Sequence, residues 1–229
     1  AAPPNAIIGG LVDAGRDSDG GHDTGGTFDP DAAVIDAPPD VVTLTQTATN
    51  MVISANSIAC YDADTDITFD NNFYRVFTPA DASVTGALHL TQVDFGIQVA
   101  TSTSGNGQPA TLKIGTYAGT VTPTTATLTG TITNLVTKAI TIKDTAAPTA
   151  MTVPVIADIA AGTSFVVELD LPNTGNKFFI GSNAGTETKP GFVGSTNCNI
   201  TTPKSFKSLA TNGPVSIVMS ATGTTTPSR

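Results

Sequence analysis

From Val93 to Val99 the chain alternates between Val93, Phe95, Ile97 and Val99 and the set Asp94, Gly96 and Gln98. A period of two puts the two sets on opposite faces of an extended strand, one face buried and the other wet. Phe165, Val167, Leu169 and Leu171 repeat the pattern against Val166, Glu168 and Asp170. After Asp40 no segment sustains a 3.6-residue period, and short β-branched runs are separated by Gly, Pro, Asn and Asp. Strands are expected at 41–47, 51–59, 73–77, 88–99, 110–117, 125–133, 138–143, 151–156, 164–171, 177–180 and 215–221. The Thr-rich run 120–133 still alternates, so it reads as strand or edge hairpin. Short strands joined by turns, without helical crossovers, pair antiparallel and bury one face each. The expected fold is all-β, a two-sheet sandwich or jelly roll with an extended N-terminal arm.

A chain of 229 residues supports one sizeable core. The β-domain is expected over 41–221, with 222–229 as an unstructured end. Residues 1–40 differ: they hold eight Asp against Arg16, a net of −7 out of −9 for the whole chain. An Asp/Gly/Pro tether over 13–40 cannot bury enough apolar surface to offset its ordering entropy. It carries an apolar tip, residues 5–12, in which Ile7, Ile8, Leu11 and Val12 stabilise nothing unless they dock. An extended segment of that length can add to a sheet edge. Insertion head to tail into the next copy of the chain would propagate a filament. Folding back onto its own domain and docking on another partner are the competing readings.

The ten basic residues are scattered, so nucleic acid is not an expected partner, nor is an anionic membrane surface. No run of about 18 apolar residues is present, and the chain is read as not membrane-spanning. Low charge, 13% of residues, with abundant Thr, Ser, Gly and Asn is typical of exported β-proteins, so a secreted or cell-surface location is expected.

Cys60 and Cys198 are the two cysteines. In an exported chain an even pair reads first as a disulfide, against the alternative of two buried thiols. Asp62, Asp64, Asp66 and Asp70 follow Cys60 closely, and Asp17, Asp19 and Asp23 crowd the tether. Carboxylates at such intervals can wrap a hard cation, so calcium is a candidate at both places, against an acidic self-capping turn and a solvated spacer. Arg75 and Asp94 form a candidate half-buried ion pair, with Tyr74 and Arg75 as a weaker candidate for ligand contact. A sugar site wants planar aromatic faces, and the chain has no Trp and three Tyr: Tyr61, Tyr74 and Tyr117. His22 and His89 are the two histidines, and no nucleophile elbow, zinc helix or phosphate-cradling loop is seen. A non-enzymatic protein is expected.

Several pieces in fixed order carry a resemblance: Ser57-Ile58-Ala59-Cys60, Asp70-Asn71-Asn72-Phe73-Tyr74-Arg75-Val76-Phe77, Val93-Asp94-Phe95-Gly96-Ile97, Phe165-Val166-Val167-Glu168, Phe178-Phe179-Ile180-Gly181-Ser182-Asn183 and Cys198-Asn199-Ile200. Over roughly 45–221 the chain resembles a β-sandwich module of secreted and surface proteins of Gram-negative bacteria. The resemblance implies a surface setting and a Cys60–Cys198 bridge, and it brings no activity. The tether resembles the Asp/Ala/Pro-rich spacers of surface lipoproteins, without their lipid-bearing Cys.

The leading expectation is a structural protein, a subunit of an extracellular filament or surface assembly whose partners are copies of itself. The alternative is a cell-surface adhesion module of carbohydrate-binding type, with surface glycans as partners and calcium in its loops.

Overall fold

The computed structural model describes residues 39–53, 56–210 and 213–225. In chain order its strands are β1 (Asp40–Thr45), β2 (Tyr61–Asp62), β3 (Ile67–Thr68), β4 (Asn71–Phe77), β5 (Leu88–Thr101), β6 (Gln108–Ala118), β7 (Thr131–Ile142) and β8 (Thr149–Ile159). They continue with β9 (Phe165–Leu171), β10 (Lys177–Ile180), β11 (Ser182–Asn183), β12 (Phe192–Ser195), β13 (Ile200–Ser205), β14 (Ser216–Ile217) and β15 (Met219–Thr225). All of the pairings are antiparallel.

One sheet runs β1-β15-β5-β10, with β8 on β5 as well, and the other runs β13-β12-β4-β9-β6-β7. Their inward faces share a core in which Leu90, Val93, Phe95, Val153 and Met219 from the first meet Phe73, Leu112, Ile114, Val167 and Leu169 from the second. The fold is therefore an all-β sandwich. The expected alternation orients β9 and the middle of β5, but β5 changes phase. Leu88 and Leu90 face inward, and so do Val93, Phe95 and Ile97. Both β8 and β15 shift register between Leu90 and Gln92, a bulge that brings both sets to the same face. A second shift, at Phe179/Ile180 of β10, leaves Val99 half-buried and turns Ala100 inward.

Val166 lies on the supposedly wet face of β9, yet it is buried with Val76, Tyr117, Val121, Leu128 and Phe192 in a second, smaller core. Of the run 120–133, expected as strand or edge hairpin, residues 120–130 instead form a strap over that face, tied down where Leu128 N donates to Pro203 O at 2.9 Å and Ser205 N to Ala126 O at 2.7 Å. The segment 51–59 is not the strand its composition indicates: of its described residues, Ile53 alone makes a bridge, to Ser182. The C-terminal boundary also moves, because β15 runs through Thr225 and pairs along its length with β1, Asp40 against Thr225. At one crossing the sheet needs glycine on both sides: a Cβ on Gly181 would lie 2.4 Å from the Gly96 backbone.

Among the described residues the edges of the two larger sheets are β1, β8, β10, β13 and β7. No helix among the described residues is long and apolar enough to cross a membrane.

Candidate functional site

β4 alternates Phe73, Arg75 and Phe77 toward the interior, so its pairing places a cation inside the sandwich. Arg75 is completely buried and is met there by four residues from three other segments. Its Nη1 donates to Gln46 Oε1 and to Lys189 O, both at 3.0 Å, and its Nη2 to Glu187 Oε2 at 3.1 Å and to Ile217 O at 2.5 Å. Nε alone has no partner. Gln46 passes the connection on by donating to Val76 O. Burial pushes the guanidinium below its ordinary value, and Glu187 works against that push. Burial likewise raises the Glu187 carboxyl against the pull of Arg75.

Arg75 thus pairs with Glu187, not with Asp94. Asp94 sits on the outer face of the other sheet, taking Gln92 Nε2 at 2.8 Å and Thr152 Oγ1 at 2.5 Å. With no exposed surface, Arg75 is a structural tie and cannot read a ligand. Tyr74, one residue along, faces the opposite way and packs half-buried on the smaller core. Burial, reinforced by the charges of Glu168 and Asp170, raises its hydroxyl well above the usual value. Those two carboxylates are held by Lys113 Nζ, at 3.0 and 2.8 Å.

The second focus is the disulfide. Cys60 and Cys198 are bonded, with Cα atoms 5.8 Å apart and a sequence separation of 138. Buried Asn71 positions the first partner: its Oδ1 accepts from Cys60 N at 2.7 Å and its Nδ2 donates to Cys60 O at 3.3 Å. Asp70 grips the turn that carries the second. Its carboxylate accepts from Ser195 Oγ at 2.9 Å, Thr196 N at 2.8 Å, Asn197 N at 3.0 Å and the Thr196 hydroxyl. Burial works against the charge, but these donors hold the Asp70 carboxyl below the ordinary range.

The acidic residues after Cys60 therefore do not converge on a cation. Asp62 caps its own turn, accepting from Asp64 N at 3.0 Å and Thr65 Oγ1 at 2.7 Å. Asp66 accepts from Lys177 Nζ at 2.7 Å and Tyr61 Oη at 2.6 Å. Asp64 is exposed, and Asp70 faces the Cys198 turn. Among the described residues no three acidic, His or Cys side chains come together as metal ligands. The self-capping turn is the reading that these contacts support. Asp17, Asp19, Asp23, Ile7, Ile8, Leu11 and Val12 lie outside the described residues.

Asp70→Asn is expected to lower stability at neutral pH by about 1–3 kcal/mol, since an amide offers one acceptor oxygen where four donors now converge. The folded carboxyl titrates below its unfolded value, so its contribution is full above about pH 3.9 and fades as the pH falls through the folded value. Urea unfolding of both proteins at neutral and acid pH checks this: the gap between them should close in acid.

Two open cavities flank residues 185–189. One, of about 410 Å³, is lined by Pro123, Glu187, Lys207, Pro214 and Ser216. The other, of about 320 Å³, is lined by Gln46, Phe77, Thr78, Asp81 and Lys189, the last two bridged at 2.5 Å. Their polar groups are largely committed to ties within the fold, and Phe77 is the one aromatic ring in either lining. His89 is exposed on the outer face of β5, 2.6 Å from Asp158 Oδ1.

Sequence reasoning missed Glu187, Gln46 and Asn71. Glu187 carried a usable signal, being one of two glutamates in the chain. Compared with protein-family models, curated proteins and solved structures, the chain matches none.

Proposed function

We propose that the protein is an exported structural subunit of an extracellular filament or surface assembly, linked by the N-terminal arm of one copy adding to a β-sheet of the next. The observation that carries this reading is a disulfide-fastened sandwich with sheet edges open among the described residues, preceded in sequence by an acidic arm that carries the apolar residues Ile7, Ile8, Leu11 and Val12. An oxidising location fits the disulfide. A tether over 13–39 spans up to about 90 Å when extended, enough to reach a neighbouring domain. The resemblance to a surface module fits the same setting.

Deleting residues 1–12 tests it. The variant should keep its folded β-sheet signal, because the described strands begin at Asp40, and should lose large species in light scattering and negative-stain images. A monodisperse monomer with and without the arm would sink the reading and direct attention to glycan binding.

A further inference from the structure

The geometry points to the open edge of β7 as the acceptor for residues 5–12 of a second copy, an inference that rests on the arm-linked reading above. Five edges are available among the described residues, and four are protected in ways that natural sheets use against strand addition. β10 has only four residues, and its backbone is capped where Phe178 N donates to Thr68 Oγ1 at 3.1 Å and Lys177 O accepts from Gln108 Nε2 at 2.9 Å. β13 contains Pro203 and is covered by the 126–128 segment, which bonds it at Pro203 O and Ser205 N. β8 is interrupted by Pro154, which has no N–H for a further strand, and Lys138 Nζ occupies its carbonyl at 2.5 Å. β1 has only six residues and follows Pro39 directly.

β7 has none of these protections. It is twelve residues long, Thr-Ile-Thr-Asn-Leu-Val-Thr-Lys-Ala-Ile-Thr-Ile, with no proline and a single charge. That one lysine is turned toward β8. β6 pairs along one side of β7, and no strand among the described residues pairs along the other. Ile132 and Leu135 stay 38% and 43% exposed, and Val136 and Ile140 are only partly covered by the core. An added apolar strand gains main-chain hydrogen bonds along this edge and covers those side chains.

Charge selects the same edge. From Phe95 through Lys143 the chain has no Asp or Glu and carries Lys113, Lys138 and Lys143. Lys113 is taken by Glu168 and Asp170, leaving Lys138 and the exposed Lys143 beside β7. The arm, with a net of −7 over residues 1–40, follows its apolar tip with that acidic tether. Once the tip is seated, the tether runs past the one long edge that is basic rather than acidic.

The test uses the full chain with a benzophenone amino acid in place of Ile8, mixed as equal parts of nitrogen-15-labelled and unlabelled protein, irradiated and mapped by mass spectrometry. The expected product joins position 8 to residues 131–142, with half of the joined pairs carrying one labelled and one unlabelled partner. Leu135→Lys with Thr137→Lys should then abolish both this crosslink and the large species. Crosslinks between copies that fall on β1, β8, β10 or β13 overturn the choice of edge and leave the arm-linked reading standing. Crosslinks confined to single copies, or assembly joined β7 to β7 without the arm, overturn both.

Discussion

Replacing Arg75 by alanine is expected to lower the stability of the sandwich by about 3–5 kcal/mol, the cost of removing one partner from a buried ion pair. For a domain of this size that is a fall of about 6–20 °C in melting temperature. The cause is what the alanine leaves behind. Glu187, whose side chain is 12% exposed, keeps a carboxylate facing a cavity, and Gln46 Oε1, Lys189 O and Ile217 O each lose a donor. Arg75 stands 29 residues from Gln46, 112 from Glu187 and 142 from Ile217, so one side chain closes this end of the sandwich across most of the chain. Arg75→Lys should recover little, because a single ammonium cannot present two parallel pairs of donors. Glu187→Gln should cost less than the alanine, since it removes a charge while the amide can still accept from Nη2. Thermal unfolding of the three variants gives the order: Arg75→Ala and Arg75→Lys well below Glu187→Gln. Equal losses in all three would mean that the carboxylate, not the geometry of the fork, dominates.

Removing the disulfide is the other large effect. Closing a loop of 138 residues restricts the unfolded chain by about 5 kcal/mol in the entropy model, and measured losses run about 2–5 kcal/mol. The double variant Cys60→Ser/Cys198→Ser is the clean probe, because Cys198 is exposed and as a lone thiol would form covalent dimers. It should still fold, since Asn71 holds the Cys60 backbone and Asp70 holds the Ser195–Asn197 turn whether or not the sulfurs are joined. Chemical denaturation should show a lower midpoint with the native sheet signal retained. An unchanged midpoint would mean that these polar contacts already confine the unfolded chain. Adding Asp70→Asn to the cysteine pair should lose more than the separate losses together, because both fasten the same turn.

The readable parts of the fold were those governed by neighbours in sequence. Period-two alternation in 93–97 and 165–171 identifies the inward faces because side-chain direction is set by the backbone alone. The phase change between Leu90 and Val93 is itself written in the sequence, and a bulge is its physical resolution. β12 and β13 were not legible. Phe192–Ser195 is too short to show alternation, and Pro203 inside Ile200–Ser205 argues against a strand until the edge position that tolerates it is known. The reading of 51–59 as a strand failed the other way: it is apolar enough, but of its described residues only Ile53 finds a bridging partner, Ser182.

The functional residues divide along the same line. Two cysteines admit one intramolecular pairing, so the disulfide followed from counting, and the uneven charge singled out the arm. The partner of Arg75 did not follow, because nothing local distinguishes Asp94 from Glu187 as the carboxylate that a buried guanidinium will meet. Nor could spacing show that Asp62, Asp66 and Asp70 turn to three different sets of donors instead of to one ion. Local chemistry in this chain sets which way each side chain points and which groups need a partner. Which group supplies that partner, and which sheet edge stays open, depends on segments brought together from more than a hundred residues apart, where the cost of an unpaired buried charge or backbone group selects among arrangements that look equivalent in sequence.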